Sequence, residues 1–331
     1  MKHYTHLGDL SREDIAELME IARLADTDRN WQPLAGKILG LVFMNPSLRT
    51  LASFQAGMAR LGGSSFVITP GSSWALEHRD GIVMNGATAE HVREAIPVLA
   101  GYADAIGVRA FAAGQDLTED LSEPVMSLVR ELSPVPLINM ESAVDHPCQA
   151  LADWKTLDDE GVPAAGGKFV LSWANHPKAL PLAVPAAAVH MAAHRGMDVT
   201  VLRPPGFELP EPVMRRAHAA AAASGGSIVE TEDREAAMAD AHVIYAKSWG
   251  SSMHYGDGEA DAALRAGLDD WTVDEPWFAP ARPDCIFMHC LPIRRNVVAT
   301  DAILDGPRSR VLGQARNRML AQQAILHRLL A

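Results

Sequence analysis

Long apolar runs are missing from this 331-residue sequence. No segment reaches the roughly 18 apolar residues needed to span a bilayer, because the Ala-rich stretch 182–194 is broken by Pro185 and His190. The opening residues, Met1-Lys2-His3-Tyr4-Thr5-His6-Leu7, lack the apolar core of a secretory signal. No membrane partner is expected. Cysteine is scarce: Cys148, Cys285 and Cys290 are odd in number and share no metal-ligand spacing. A disulfide framework is therefore not indicated, and a reducing cytoplasm is the simplest setting. Positive charge is short as well, with 29 Lys+Arg against 41 Asp+Glu and a net charge of −12. That balance argues against nucleic acid as a partner. No GxGxxG follows the first strand-like run, and Gly166-Gly167-Lys168-Phe169 ends in Phe where a phosphate loop needs Ser or Thr. HExxH and GxSxG are absent too, which removes zinc hydrolysis and nucleophile-elbow chemistry from consideration.

What is present is an ordinary soluble composition, 48% apolar and 21% charged. The length suits two domains. A helix is expected from Ser11 to about Thr27, with Ser11 as N-cap. Strand 38–44, helix 47–61, strand 65–68, a Pro/Gly/Ser turn at 70–73 and an irregular loop over 74–88 follow. Helix 90–101, strand 105–109, helix 123–132 and strand 136–140 complete a first set. After a helix at 147–158, a second set reads as strands 168–172, 198–202, 227–230, 242–245, 285–288 and 311–312. Helices at 184–196 and 211–224 lie between them, and a last helix covers 314–330. Strand–helix alternation implies parallel sheets. The expected fold class is α/β, two doubly wound parallel-sheet domains with the active site in the cleft between them.

The most informative stretch is Asn45-Pro46-Ser47-Leu48-Arg49-Thr50, directly after the apolar run 38–44. It places Ser47, Arg49 and Thr50 at a helix N-terminus, where backbone N–H groups and the helix dipole favour an anion. Ser and Thr hydroxyls donate hydrogen bonds, and Arg adds a charged fork suited to phosphate. The pattern alone also fits a Ser N-cap beside one exposed Arg.

Three further segments narrow the reading: His146-Pro147-Cys148-Gln149, His289-Cys290-Leu291-Pro292 and Asn317-Arg318. With Ser47-x-Arg49-Thr50 and Arg109, their order and spacing resemble the aspartate/ornithine carbamoyltransferase family. The resemblance runs from about residue 3 to the end. This family moves a carbamoyl group from carbamoyl phosphate to an amine, and the chemistry needs no metal and no cofactor. The resemblance implies a carbamoyl-phosphate-binding domain over 1–150, completed by the C-terminal helix 314–331, and an acceptor-binding domain over 151–313. It assigns Ser47, the Leu48 backbone, Arg49 and Thr50 to the phosphate, with Arg318 nearby. It assigns Arg109, His146 and Thr50 to the carbonyl oxygen, and Gln149 with the backbone carbonyls of Cys290 and Leu291 to the carbamoyl NH₂. Arg109, His146 and Arg49 are the catalytic set. A buried cis peptide at Leu291-Pro292 would suit that aim. Taken alone, His146 reads as a capping histidine, and Cys148 and Cys290 read as small buried hydrophobes. One departure is Leu51, where many members carry a second Arg; phosphate binding is expected to survive it.

The acceptor is read from Tyr245-Ala246-Lys247-Ser248-Trp249-Gly250. Ornithine enzymes of the family have an Asp and a Ser-Met-Gly element there, holding a free α-amino group. A Lys suits an α-carboxylate beside a neutral, acylated nitrogen. Lys247-Ser248-Trp249, Asn139-Met140-Glu141, His176-Pro177-Lys178, Arg294-Arg295-Asn296 and Trp74 resemble the branch that uses Nα-acylated ornithine in arginine biosynthesis. The resemblance places Trp74, Ala89, Glu141, His176, Pro181, Lys247, Arg294 and Val298 around the acceptor. It also implies a homotrimer whose Trp74 loop reaches the neighbouring site, although Trp74 alone reads as a surface anchor. Acetylornithine enzymes carry Glu, Asn and Lys at the places of Ala89, Pro181 and Val298. Succinylornithine enzymes carry a small residue or Pro, a Pro and an aliphatic residue. Loss of an acidic side chain removes repulsion of a succinyl carboxylate. The expected acceptor is N-succinyl-L-ornithine, with N-acetyl-L-ornithine as the alternative. His91, Arg79, Lys178 and Arg294 are the candidate cations for the succinyl group. Two further readings are a transcarbamoylase for ornithine, putrescine or aspartate, the first two disfavoured by Lys247, and a non-catalytic carbamoyl-phosphate-binding homologue, prompted by Leu51.

Overall fold

Apolar runs and the helices between them build two α/β units in the computed structural model, which describes residues 2–69 and 73–331. The turn expected at 70–73 falls, through residues 70–72, outside the described residues. One unit takes the chain up to Ala112 together with Glu119–Cys148 and Arg318–Ala331. The other takes Ala113–Thr118 and Gln149–Asn317. No helix among the described residues is long and apolar enough to cross a membrane.

In the first unit, β1 (Ile38–Phe43), β2 (Ser64–Ile68), β3 (Ala75–Glu77), β4 (Thr88–His91), β5 (Ala105–Arg109) and β6 (Leu137–Glu141) are the strands. Four of them form a parallel sheet in the order β2-β1-β5-β6. Residues of β5 and β6 are buried throughout, as strands covered on both faces must be. The order reverses between β1 and β5, and a crevice opens beyond the carboxyl ends of strands at such a switch point. β1 ends at Phe43 and β5 at Arg109, so the connection 44–47 and the Arg109 side chain are delivered there. Segment 74–88, expected to be irregular, holds β3, which pairs in parallel with β4. Glu77 organises it, its carboxylate accepting from the backbone N–H groups of His78 and Arg79, both at 3.0 Å.

The second unit contains β7 (Lys168–Trp173), β8 (Asp198–Leu202), β9 (Ser227–Thr231), β10 (Val243–Lys247) and β11 (Ile286–Met288). They form a parallel sheet in the order β11-β10-β7-β8-β9. Here the reversal falls between β7 and β10, which places residues 174–176 and Lys247 at the switch point. The helix Ala183–Arg195 is buried nearly all round, consistent with its run of Ala.

Val311 and Leu312, expected as a strand, instead start the helix Val311–Leu330. Two apolar residues carry no period. Val311 is buried and Leu312 is exposed, and Gln314 N donates to Arg310 O at 2.8 Å as a helical turn requires. Further along that helix Gln322 and Gln323 are buried in the first unit. Gln323 Nε2 donates to Gly57 O at 3.4 Å. Neither amide atom of Gln322 finds a hydrogen-bond partner among the described residues. Leaving such a group unmatched costs about 1–3 kcal/mol, which an apolar group of the same length recovers. Gln322→Met is therefore expected to raise the calorimetric unfolding midpoint by about 2–4 °C; a lower midpoint would refute it.

Candidate active site

Ser47 is the N-cap of the helix Leu48–Arg60, with extended backbone. Its Oγ accepts from Thr50 N at 3.3 Å and donates to Thr50 Oγ1 at 3.0 Å. Thr50 is fully buried, whereas Leu48 is 82% exposed. A helix start of this shape presents its first backbone N–H groups outward. From the C-terminal helix, Arg318 Nη2 donates to Thr50 Oγ1 at 3.3 Å. Asn45 Oδ1 accepts from Phe111 N at 2.7 Å, and Met44 N donates to Arg109 O at 2.9 Å. These two bonds lock the cradle segment to the end of β5. Ser47, Arg49, Thr50, Arg109 and Arg318 thus belong to one unit, four of them at the switch point and Arg318 bonded to it.

Arg109 is buried, stacks over Phe111 with 4.4 Å from guanidinium to ring centre, and pairs with the Glu141 carboxylate. Glu141 Oε2 also lies 3.4 Å from His146 Nε2. A register shift between Val108 and Arg109 in the β5–β6 pairing, with φ of 150° at Glu141, turns this carboxylate toward both groups. Arg109 and His146 therefore converge on one point. Cys148 is inert by comparison: burial pushes its thiol up to about 12, and its Sγ faces Asn139 O at 3.7 Å.

In the second unit Gln149 Nε2 donates to Asp153 Oδ1 at 2.8 Å. Gln314 Nε2 donates to the same oxygen at 2.7 Å, while Gln314 Oε1 accepts from His289 N at 3.0 Å. His289 Nδ1 accepts from Leu291 N at 2.8 Å. One buried chain of bonds thus joins the Gln149 amide to the turn carrying Cys290 and Leu291. Asp153 and Gln314 are missing from the sequence reading; the spacing of four between Gln149 and Asp153 on one helix was the available signal. The Leu291–Pro292 peptide is cis. It is not buried as expected: Leu291 is half-buried and Pro292 exposed, because the turn lies at the rim of the sheet.

His176 and Lys247, both buried, follow or end β7 and β10. Arg294 Nε donates to His176 Nε2 at 3.2 Å, and His176 Nδ1 lies 2.9 Å from Lys178 O and 3.1 Å from Lys178 N. Burial holds His176 below the ordinary imidazole range, and the charges of Arg294, Lys247 and Arg265 push the same way. Among the described residues no carboxylate pairs with Lys247, Lys178 or Arg294. The other two candidate cations are engaged. Arg79 pairs with Glu77 at 3.1 Å, and His91 caps the helix Val92–Ala100 by accepting from Arg93 N. Trp74 is 58% exposed, and its indole N–H donates to Glu90 Oε2 at 2.7 Å. Ala89 is exposed on β4, Pro181 half-buried and Val298 buried.

Two parallel α/β units, one presenting a helix-start cradle and the other a buried lysine at its switch point, define a transcarbamoylase. The chain belongs to the aspartate/ornithine carbamoyltransferase family: its carbamoyl-P binding domain model matches residues 2–159 and its Asp/Orn binding domain model residues 184–329. Within that family it falls in the N-acylornithine branch. It is 42% identical over 330 residues to the N-acetylornithine carbamoyltransferase of Xanthomonas campestris pv. campestris, covering 98% of this chain and 97% of that protein. It is 34% identical over 334 residues to the N-succinylornithine carbamoyltransferase of Bacteroides thetaiotaomicron, covering 100% and 99%. Among solved structures, an acetylornithine transcarbamylase complexed with acetylcitrulline matches with TM-score 0.96 and 41% identity over 100% of both chains. A glutamate-to-alanine variant of N-acetyl-L-ornithine transcarbamylase, complexed with carbamyl phosphate and N-succinyl-L-norvaline, matches with the same TM-score of 0.96 and 41% identity, covering 99% of this chain and 100% of that one.

Proposed function

We propose that this protein transfers the carbamoyl group of carbamoyl phosphate to the side-chain amine of an Nα-acylated L-ornithine, N-succinyl-L-ornithine being preferred. The products are the N-acyl-L-citrulline and phosphate. The observation that carries the reading is Lys247, a buried ammonium at the end of β10 with no carboxylate among the described residues to pair with. Burying a cation without a counter-charge is costly, and an anionic acceptor supplies the missing charge. The free α-ammonium of ornithine would be repelled there.

In this reading Ser47, the Leu48 backbone, Arg49, Thr50 and Arg318 take the phosphate. Arg109 and His146 take the carbonyl oxygen, where negative charge grows as the amine attacks. Gln149, oriented by Asp153, and the carbonyls of Cys290 and Leu291 take the NH₂. A C–N bond forms, the C–O bond to phosphorus breaks, and the departing phosphate accepts the amine proton. Both sets of residues serve one reaction, held in line rather than activated covalently. Lys247, Arg294 and His176 hold the acceptor's carboxylate side, and Glu141 its amine side. A closed homotrimer, with the Trp74 segment reaching a neighbouring site, completes the proposal.

Ala89, Pro181 and Val298 favour the succinyl compound. The succinyl-norvaline complex of the Glu-to-Ala relative supports a link between loss of a glutamate and a succinyl ligand. N-Acetyl-L-ornithine is the second reading, favoured by 42% identity to an acetyl enzyme against 34% to a succinyl one. Ureido product is measured with carbamoyl phosphate and, in parallel, ornithine, N-acetylornithine and N-succinylornithine. Turnover is expected for the succinyl compound first and for ornithine not at all. Acetyl-only turnover would overturn the acyl assignment, and turnover of none would overturn the activity.

A further inference from the structure

A segment distant in sequence brackets His146. Tyr4 N donates to Leu137 O at 2.8 Å and Asn139 N donates to Tyr4 O at 2.9 Å, so the chain near Tyr4 runs in parallel beside β6. Beyond this pairing, two side chains of that segment reach the residues either side of His146. Tyr4 Oη donates to Pro147 O at 2.9 Å. His6 Nδ1 lies 2.8 Å from Asp145 Oδ2, and His6 Nε2 lies 3.6 Å from Glu123 Oε2. Asp145 and Glu123 are almost completely buried, while His6 keeps 26% of its side-chain surface exposed.

Glu123 holds the same loop from beneath. Its carboxylate accepts from Ser142 Oγ and, at 3.1 Å, from Val144 N. Its backbone sits at φ 51°, the left-handed region, a strained setting that surrounding bonds must maintain. Ser142 N donates to Asp145 O at 2.9 Å, and Asn139 Nδ2 bonds both Ser142 Oγ at 2.9 Å and Thr5 O at 3.1 Å. Residues 142–146 are therefore tied on every side, with two buried carboxylates meeting one imidazole. His6 Nδ1 is within hydrogen-bond distance of Asp145, while Nε2 and the Glu123 carboxylate are within ion-pair distance only, so one ring faces both buried acids.

We propose that His6 is a positioning residue for the carbamoyl-transfer step: by holding Asp145 and Glu123 it fixes loop 142–146 and with it the place of His146. The inference rests on the assignment of His146 to the carbonyl oxygen given above. The test is His6→Ala in the full chain, with two separate readouts. His146 carbethoxylation by diethylpyrocarbonate, located by peptide mass spectrometry, is slow in the parent protein and is expected to speed up about tenfold, the scale of a small displacement. Buried His190 and His289 serve as the unfolding control and should not change. In turnover, kcat is expected to fall about tenfold while the KM for carbamoyl phosphate and the heat stabilisation by inorganic phosphate stay within about twofold. Added imidazole should restore part of the lost kcat. If His6→Ala folds poorly, His6→Ala/Asp145→Asn removes one of the stranded charges; it should recover stability and keep the fast labelling. Unchanged His146 labelling in both variants would overturn the tether. A parent enzyme with no carbamoyl transfer would sink the functional reading instead, and the labelling alone would then decide the tether.

Discussion

Replacing Arg109 by Gln is expected to lower kcat by about 10²–10³-fold, the usual cost of losing one donor to a developing oxyanion. The chemistry supplies the reason. In the proposed attack step the carbonyl oxygen gains charge, and Arg109 and His146, which both face the Glu141 carboxylate, are the groups assigned to it. A fixed guanidinium stabilises that charge more than it does the neutral carbonyl, so the loss should fall on kcat more than on KM. The same substitution strands the Glu141 carboxylate, which is 8% exposed and faces Arg109 directly. Removing one partner of a buried pair costs about 3–5 kcal/mol, so the single variant should also unfold at a lower temperature. The double variant Arg109→Gln/Glu141→Gln separates the effects. It should recover most of the thermal midpoint and none of the kcat. Recovery of both would mean that Arg109 serves the fold only, and loss of neither would remove it from the site.

Ala89→Glu should reverse the acyl preference. In the proposed reading the acyl group lies beside position 89, where a carboxylate at a separation of about 5 Å repels a succinyl carboxylate by about 3 kcal/mol at an effective dielectric near 20, or about 10²-fold in kcat/KM. The neutral acetyl group feels no such repulsion, and its kcat/KM should hold or rise. Ala89 is exposed, and stability should shift by no more than about 0.5 kcal/mol. Parallel steady-state assays with the two acyl-ornithines give the ratio. An unchanged ratio would place Ala89 away from the acyl group.

How much of this was legible follows from the range of each interaction. β1 is an uninterrupted apolar run and β5, β7 and β8 are largely apolar, so their positions are readable within a residue or two. β3 has three residues and no period, so its sequence reads as loop, while Val311-Leu312 is apolar enough to read as a strand. Ser47 as a cap to Thr50 is local and was readable. Lys247 is readable by residue type, and the structure adds its burial at the end of β10. The Arg109–Glu141 pair joins residues 32 apart through a shifted register, and the Gln314–Asp153 bond spans 161 residues. The His6–Asp145 contact spans 139. None of these leaves a periodic trace, since only the folded sheet brings the partners together.

The strip of main chain at Tyr4 has a practical side. β6 ends the order β2-β1-β5-β6, and Tyr4 occupies the outer N–H and C=O groups of Leu137 and Asn139. At the other sheet, Phe287 of β11 bonds Arg308 and Arg310 in the same manner, at 2.8 and 2.9 Å. Both apolar border strands are thereby denied to a neighbouring molecule, which otherwise finds an open template for intermolecular pairing. A purification tag fused ahead of residue 3 that pulls this strip away would bare Leu137-Ile138-Asn139-Met140 and turn a soluble preparation toward aggregates. Appended after Ala331, which is exposed, the same tag leaves that seal intact.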